Sequence, residues 1–515
     1  MIRDRASGLL LHVTSLPSPY GVGDVGPAAL SWIDRLQHAG QSWWQALPLG
    51  PTGYGNSPYQ PLSSFAGNGL VISPEWLIED GLVRAGDCQA GAFPQHEVDY
   101  SAVIPFKHRI LETAWANFMA GERPDLRPAY EQFCEEQSHW LNDYALFRAL
   151  KAQFSGAYFV EWPAELVQRE GLALDRARRE LAHPVGLACF VQFILSRQAA
   201  RLKAHALGKG LMLIGDLPFF VSADSSDVWA NPELFLLDER RRPRFVAGVP
   251  PDYFSATGQL WGNPVYNWDA LRESGYRWWI DRLRALLTHI DVIRLDHFRG
   301  FAAAWHVPAG ALTAESGDWR PGPGADFLHA AQRELGPLPF VAEDLGRITH
   351  DVYTLRDQFQ LPGMRVLQFA FDGHSDNPHL PDNYVTNTVA YTGTHDNPTT
   401  RGWYGDLPDD QRQNLWTHLK RSGVRPEEAA TVLMNLAWSS PAVLAMAPLQ
   451  DVLNLGNEAR MNVPGRPDGN WRWRCSEDML SDHAFERVRE LTESSNRLGT
   501  TGTLADGRAL EVASR

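Results

Sequence analysis

Eight short apolar runs recur along this chain of 515 residues, and helical stretches separate most of them. They are GLLLHVTSL (8–16), WWQALPLGP (43–51), LMLIGDLP (211–218), DVIRLDHF (291–298), PFVAEDLG (339–346), MRVLQFAF (364–371), VAYTGTHD (389–396) and VLAMAPLQDVL (443–453). Nearly continuous apolar strands alternating with helices predict a parallel sheet covered on both faces. Eight such units predict an α/β fold, a closed (β/α)8 TIM barrel filling one catalytic domain over 1–515. A doubly wound open sheet is the runner-up, weakened because no glycine-rich nucleotide fingerprint follows the first run. Pro27 opens the first helix, with Leu30, Ile33 and Leu36 at helical spacing and Gly40 closing it. From about 76 to 208 the pattern is helical and polar, read as a largely helical inserted subdomain that ends at Gly208 and Gly210.

Charge and composition narrow the chemistry. Lys plus Arg number 47 and Asp plus Glu 61, a net charge of −14. Such a chain repels phosphate backbones and anionic bilayers, so neither a nucleic acid nor a membrane is an expected partner. No apolar run approaches the roughly 18 to 20 residues of a membrane helix. The apolar stretch near the N-terminus is broken at His12, too soon for a signal peptide. Cys88, Cys134, Cys189 and Cys475 lie far apart with no CxxC, which predicts reduced thiols in a cytoplasmic setting. The 19 tryptophans suit sugar stacking, although a buried core accounts for any single one of them.

The strand ends carry the chemistry. Asp216, Asp296, Glu343 and Asp396 fall where apolar runs stop, and barrels build active sites at that face. One such acid alone reads as a helix cap; four together, three of them beside Arg, His or Asn, point to catalysis. Arg294 and Asp296 stand two apart on a strand and face the same way, so the guanidinium favours an ionised carboxylate. Glu343 ends the next strand, where anionic neighbours are expected to raise its pKa. One ionised and one protonated carboxyl group equip an enzyme of glycosidic bonds; an Arg–Asp brace is the plainer reading of the first pair. Asp396 suits a grip on sugar hydroxyls, with His395 as donor. Metal-dependent barrels often show HxH on the first strand, and only His12 stands there, so neither a metal nor a cofactor is expected.

Several segments resemble one family. RLDHF (294–298), EDLG (343–346) and THDN (394–397) look like the catalytic regions of the α-amylase clan. HVTSLPSPYGVGDVG (12–26), GYGNSPYQPLSSFAGN (53–68), GDLPFFVSADSSDVWANPELF (215–235), GVPPDYFSATGQLWGNPVYNW (248–268) and EARMNVPGRPDGNWRWR (458–474) narrow it to the 4-α-glucanotransferases of glycoside hydrolase family 77. The resemblance runs from about 8 to 475. It implies a barrel without a C-terminal β-sandwich, acting on α-1,4-glucans and malto-oligosaccharides. It also implies Asp296 as nucleophile, Glu343 as general acid/base and Asp396 as transition-state stabiliser. Ser57, Tyr59, Asp216, Arg294 and His395 match positions around the sugar at the cleavage point. Gln259 and Trp261 match an active-site loop at about 248–268, with Tyr253 and Phe254 as further sugar contacts. Tyr54 matches a secondary glucan site. Transfer by retaining double displacement follows from the family. The residues alone leave open a retaining α-amylase-type hydrolase, a non-catalytic glucan-binding barrel and a metal-dependent barrel hydrolase. They leave the oligomeric state undetermined.

Overall fold

All eight apolar runs become strands of one closed parallel barrel. In the computed structural model, which describes residues 2, 4–89, 91–251 and 256–498, the strands follow in chain order around the ring. They are Ala6–Leu10, Trp43–Gln45, Met212–Leu217, Val292–Leu295, Phe340–Ala342, Gly363–Val366, Thr388–Tyr391 and Leu444–Pro448. The last pairs with the first, Ala6 opposite Leu444 and Leu10 opposite Pro448, which removes both sheet edges. The first strand is shorter than its apolar run. It stops at Leu10, and Val13–Ser15 form a single 3-10 turn.

Alternation along each strand separates two cores. Ala6, Leu10, Trp43, Ile214, Val292, Val341, Met364, Val366, Val389, Tyr391, Leu444 and Met446 point inward and fill the barrel. Gly8 takes the remaining inward place on the first strand because a Cβ there would meet the Trp43 carbonyl oxygen at 2.4 Å and Met446 Sδ at 2.9 Å. The outward residues join a larger core under the helices, including Leu9, Leu213, Leu217, Ile293, Leu295, Phe340 and Ala342. Most tryptophans serve this second layer: Trp32, Trp229, Trp279 and Trp438 are completely buried.

Helices Tyr100–Met119, Arg127–Glu136, Ser138–Gln153, Gly171–Glu180 and Ala182–Gly208 occupy the long connection between the second and third strands. The last buries Leu187, Phe190 and Ile194 on one side and leads through Gly210, at φ +72°, into the third strand. A four-stranded antiparallel sheet was not legible in the sequence: Gln259–Pro264, Phe245–Val249, Ala303–Pro308 and Asp318–Pro321, in that spatial order. It stands at the C-terminal ends of the third and fourth barrel strands, and Gln259–Pro264 falls inside the segment expected to be an active-site loop. After the eighth strand the described residues form helices and turns, ending in Asp482–Ser494, and no further sheet.

The far end of the barrel is tied by an unusual cation. Arg497 is fully buried and donates to the carbonyl oxygens of Trp438 (2.7 Å), Ala6 (2.8 Å), Ala442 (2.9 Å) and Ser440 (3.0 Å). These include orphan carbonyls at the end of helix Ala429–Ser439, where a positive charge is favoured. Arg497→Met keeps the length and removes these bonds, leaving the Trp438 and Ser440 carbonyl oxygens to Arg5 alone (2.8 and 2.6 Å). It is expected to cost about 1 to 2 kcal/mol, given roughly 1 kcal/mol or more for a buried acceptor left unpaired. A lower thermal midpoint, with kcat unchanged, checks this; an unchanged midpoint refutes it.

Candidate active site

Strand register assembles the site. Asp216 lies opposite Arg294, and Arg294 lies opposite Val341, so two residues further on Asp296 rises beside Glu343. Two backbone bonds fix that step: Asp296 N–H donates to Leu217 O and Glu343 N–H to Leu295 O, both 3.1 Å. Inside the rim, one nitrogen of Arg294 reaches both oxygens of Asp216 (2.8 and 2.7 Å) and Asp296 Oδ1 (2.9 Å). The Arg294 side chain is 4% exposed and that of Asp216 fully covered, whereas that of Asp296 keeps 28% of its surface toward the open mouth. Tyr59 donates its hydroxyl to Asp216 Oδ2 at 2.7 Å. The guanidinium therefore braces two strands and also holds Asp296, so the bracing and catalytic readings of Arg294 coincide.

Glu343 is held differently. Its carboxylate accepts the backbone N–H groups of His297 (2.7 Å) and Leu345 (2.9 Å). Burial pushes its carboxyl group above the ordinary range, while Arg294 and the two N–H donors pull the other way. The sequence reading expected anionic neighbours to be the main cause, and burial is the larger one. Asp296 is also pushed up, first by burial and then by Asp216, Glu343 and Asp396, against the pull of Arg294. Arg294 is held well above its usual value: burial alone would lower it, and Asp216 and Asp296 outweigh burial. Its charge is thus permanent, and two carboxyl groups, those of Asp216 and Asp296, share one guanidinium.

Asp396 follows the seventh strand in the turn 394–397. Asn462 donates to its Oδ1 at 2.6 Å and Arg460 to its backbone oxygen at 2.6 Å. His395 Nε2 lies 3.4 Å from Asp396 Oδ2, and the imidazole stacks on Tyr59 at 5.1 Å between centroids. Burial lowers the His395 pKa, so the ring is neutral and can donate one N–H. Trp471 closes the same cluster, 5.8 Å from Tyr59 and 5.9 Å from His395.

The structure thus brings together Tyr59, Asp216, Arg294, Asp296, Glu343, His395 and Asp396. Ser57 enters through its neighbour, its hydroxyl accepting Tyr59 N–H at 3.3 Å. Trp261 packs edge-on against His297 at 4.9 Å and near Phe220. Gln259 is exposed and accepts the Trp261 indole N–H at 3.2 Å. Tyr54 opens a short 3-10 turn, whereas Tyr253 and Phe254 lie outside the described residues. Asn462, Arg460 and Trp471 were missed as site residues, although all three fall within the 458–474 segment. Among the described residues no group of three or more His, Cys, Asp or Glu side chains is placed to hold a metal ion.

A closed parallel barrel with this charged ring at the C-terminal ends of its strands defines a (β/α)8-barrel enzyme whose chemistry sits at that rim. Comparison with known proteins sharpens this. The profile of glycoside hydrolase family 77, described as 4-alpha-glucanotransferase, matches residues 11–480. The chain is 48% identical to a 4-alpha-glucanotransferase of Thermus thermophilus, over 96% of this chain and 99% of that protein. It is 47% identical to one from Synechocystis, again over 96% and 99%. The amylomaltase of Streptococcus agalactiae, solved with acarbose, superposes with a TM-score of 0.92 at 36% identity, covering 96% of this chain and all of that one. The chain belongs to glycoside hydrolase family 77, and its activity is 4-α-glucan transfer.

Proposed function

We propose that the transfer runs through a covalent glycosyl-enzyme on Asp296. The carboxylate attacks the anomeric carbon of an α-1,4-glucan while Glu343 protonates the departing 4-oxygen. Glu343, now ionised, takes the proton from the 4-hydroxyl of an incoming glucan or glucose, and that oxygen displaces Asp296. Two inversions give net retention, and Glu343 regains from the acceptor hydroxyl the proton it gave to the leaving oxygen. No cofactor enters the scheme. The observation that carries it is the register of the fourth and fifth strands, which pairs Leu295 with Ala342 and so brings residues 296 and 343 level one position further on. Neighbouring parallel strands lie about 4.8 Å apart, and retaining enzymes place their carboxyl groups about 5 to 5.5 Å apart.

The ring divides the labour. Arg294 touches Asp296 and not Glu343, so the shared proton belongs on Glu343. Asp396, fixed by Asn462, is offered to sugar hydroxyls as the ring flattens toward the oxocarbenium shape. Tyr59, Asp216 and His395 complete the pocket for the sugar at the cleavage point, with Ser57 beside them. Gln259 and Trp261 stand on the strand bordering its mouth. Tyr54 is assigned to a second glucan contact. The same reading treats about 76–208 as a helical insertion on one barrel domain. It places the reaction in the cytoplasm, in keeping with four unpaired thiols.

Maltotriose separates this reading from hydrolysis. Transfer is expected to give glucose and a ladder of longer maltooligosaccharides while the number of reducing ends stays constant. Rising reducing ends would mark a hydrolase, and binding without turnover a non-catalytic barrel.

A further inference from the structure

The residue after the proposed nucleophile is itself unusual. His297 has φ +48°, the left-handed region that glycine enters freely, that asparagine, aspartate and histidine enter more readily than other side chains, and that β-branched residues resist. That conformation turns its backbone N–H onto Glu343 Oε2 at 2.7 Å, while the next N–H, of Phe298, goes to Glu343 O at 3.1 Å. Its imidazole is enclosed by Trp261 (4.9 Å), Phe219 (6.1 Å) and Phe220 (6.1 Å), and Nε2 is buried without a hydrogen-bond partner among the described residues.

We propose that His297 is a positioning residue for Glu343: its left-handed backbone presents an N–H that stabilises the acid/base group once it has given up its proton, and the aromatic enclosure keeps the ring in place. A hydrogen bond to a carboxylate is stronger than one to a neutral carboxyl group, so this donor favours the form needed when the second sugar arrives. The enclosure has an electrostatic side as well. Burial holds the His297 pKa at about 4, so the ring is neutral across the working range and adds no cation beside Glu343. The other charged groups around the pair are Arg294 on the fourth strand, Asp296 just after it, Asp344 next to Glu343, and Arg299, whose charge also disfavours a protonated imidazole. None of them can replace a directed N–H on Oε2.

The inference rests on Glu343 being the acid/base, and the experiment keeps the two apart. The alkaline limb of the kcat/KM profile with maltotriose reports the free enzyme's acid. His297→Val, whose branched side chain resists positive φ, is expected to move that limb to higher pH by roughly one unit. Its kcat/KM at the optimum should fall about tenfold through misplacement of the carboxyl group. His297→Asn tolerates positive φ and is expected to keep the wild-type limb. Should the valine variant not fold, His297→Ala and His297→Gly read the same contrast in milder form. A folded valine or alanine variant with an unmoved limb overturns the proposal, and so does an asparagine or glycine variant that shifts as far as its partner. Glu343→Gln is assayed alongside. If it turns over maltotriose at near wild-type rate, the acid/base assignment itself is wrong; if it is inactive while the valine limb stays put, only the role of His297 falls.

Discussion

Asp296→Asn is expected to lower kcat for maltotriose disproportionation by at least about 10⁴-fold, the scale seen when a covalent nucleophile is removed. The side chains are nearly the same size, and asparagine still offers an oxygen to Arg294, which keeps its contacts to both oxygens of Asp216. The barrel therefore stays intact, and the loss reports chemistry. Amide oxygen is too weak a nucleophile to form the ester, so the proton on Glu343 has no partner reaction. A variant within tenfold of wild type would refute Asp296 as nucleophile. A second measurement tests the intermediate directly. Glu343→Gln, incubated with a maltosyl donor bearing fluoride at the anomeric carbon, forms the ester without an acid and lacks the base to resolve it. Its intact mass should rise by one maltosyl unit, and the same experiment in an Asp296→Asn background should show no gain.

How much of this was legible in the chain depends on the range of the interaction. The barrel was legible because each strand is a near-continuous apolar run, and the spacing of two between Arg294 and Asp296 already put both on the inner face. The four-stranded sheet was not legible. Asp318–Pro321 is exposed along its whole length, and Phe245–Val249 and Gln259–Pro264 carry glycines that read as loop. Nor could the sequence show that Arg294 spends most of its contacts on Asp216, 78 residues away. Asn462, 66 residues from Asp396, carried no periodic signal, because a contact between two loops leaves no repeat. The cause of the raised Glu343 pKa was misjudged for the same reason. Local neighbours can be read off a motif, whereas burial is set by the whole barrel.

Arg294→Met turns that long-range brace into a stability measurement. The substitution leaves the fully covered side chain of Asp216 with the Tyr59 hydroxyl and no counter-ion, and leaves Asp296 beside it. Removing one partner of a buried ion pair typically costs about 3 to 5 kcal/mol, because the charge left behind is uncompensated. The cost should depend on pH in a definite direction. Burial already pushes the Asp296 carboxyl upward, and Arg294 is the group that opposes it. Without the guanidinium its folded-state pKa rises further above the unfolded value, so the folded variant binds more protons than the unfolded chain. Stability then falls as pH rises from the unfolded carboxylate range, near 4, through the raised folded-state value. The wild type shares part of this fall, so the gap in thermal midpoint between wild type and Arg294→Met is expected to widen as pH rises past the wild-type folded-state value. A second substitution, Asp216→Asn in the Arg294→Met background, removes the stranded charge and should recover a large part of the lost stability without recovering activity. A gap that does not change with pH, or a double variant no more stable than the single one, would mean that Arg294 supports the barrel by packing alone. Arg294 would then not be what holds Asp296 ionised for attack.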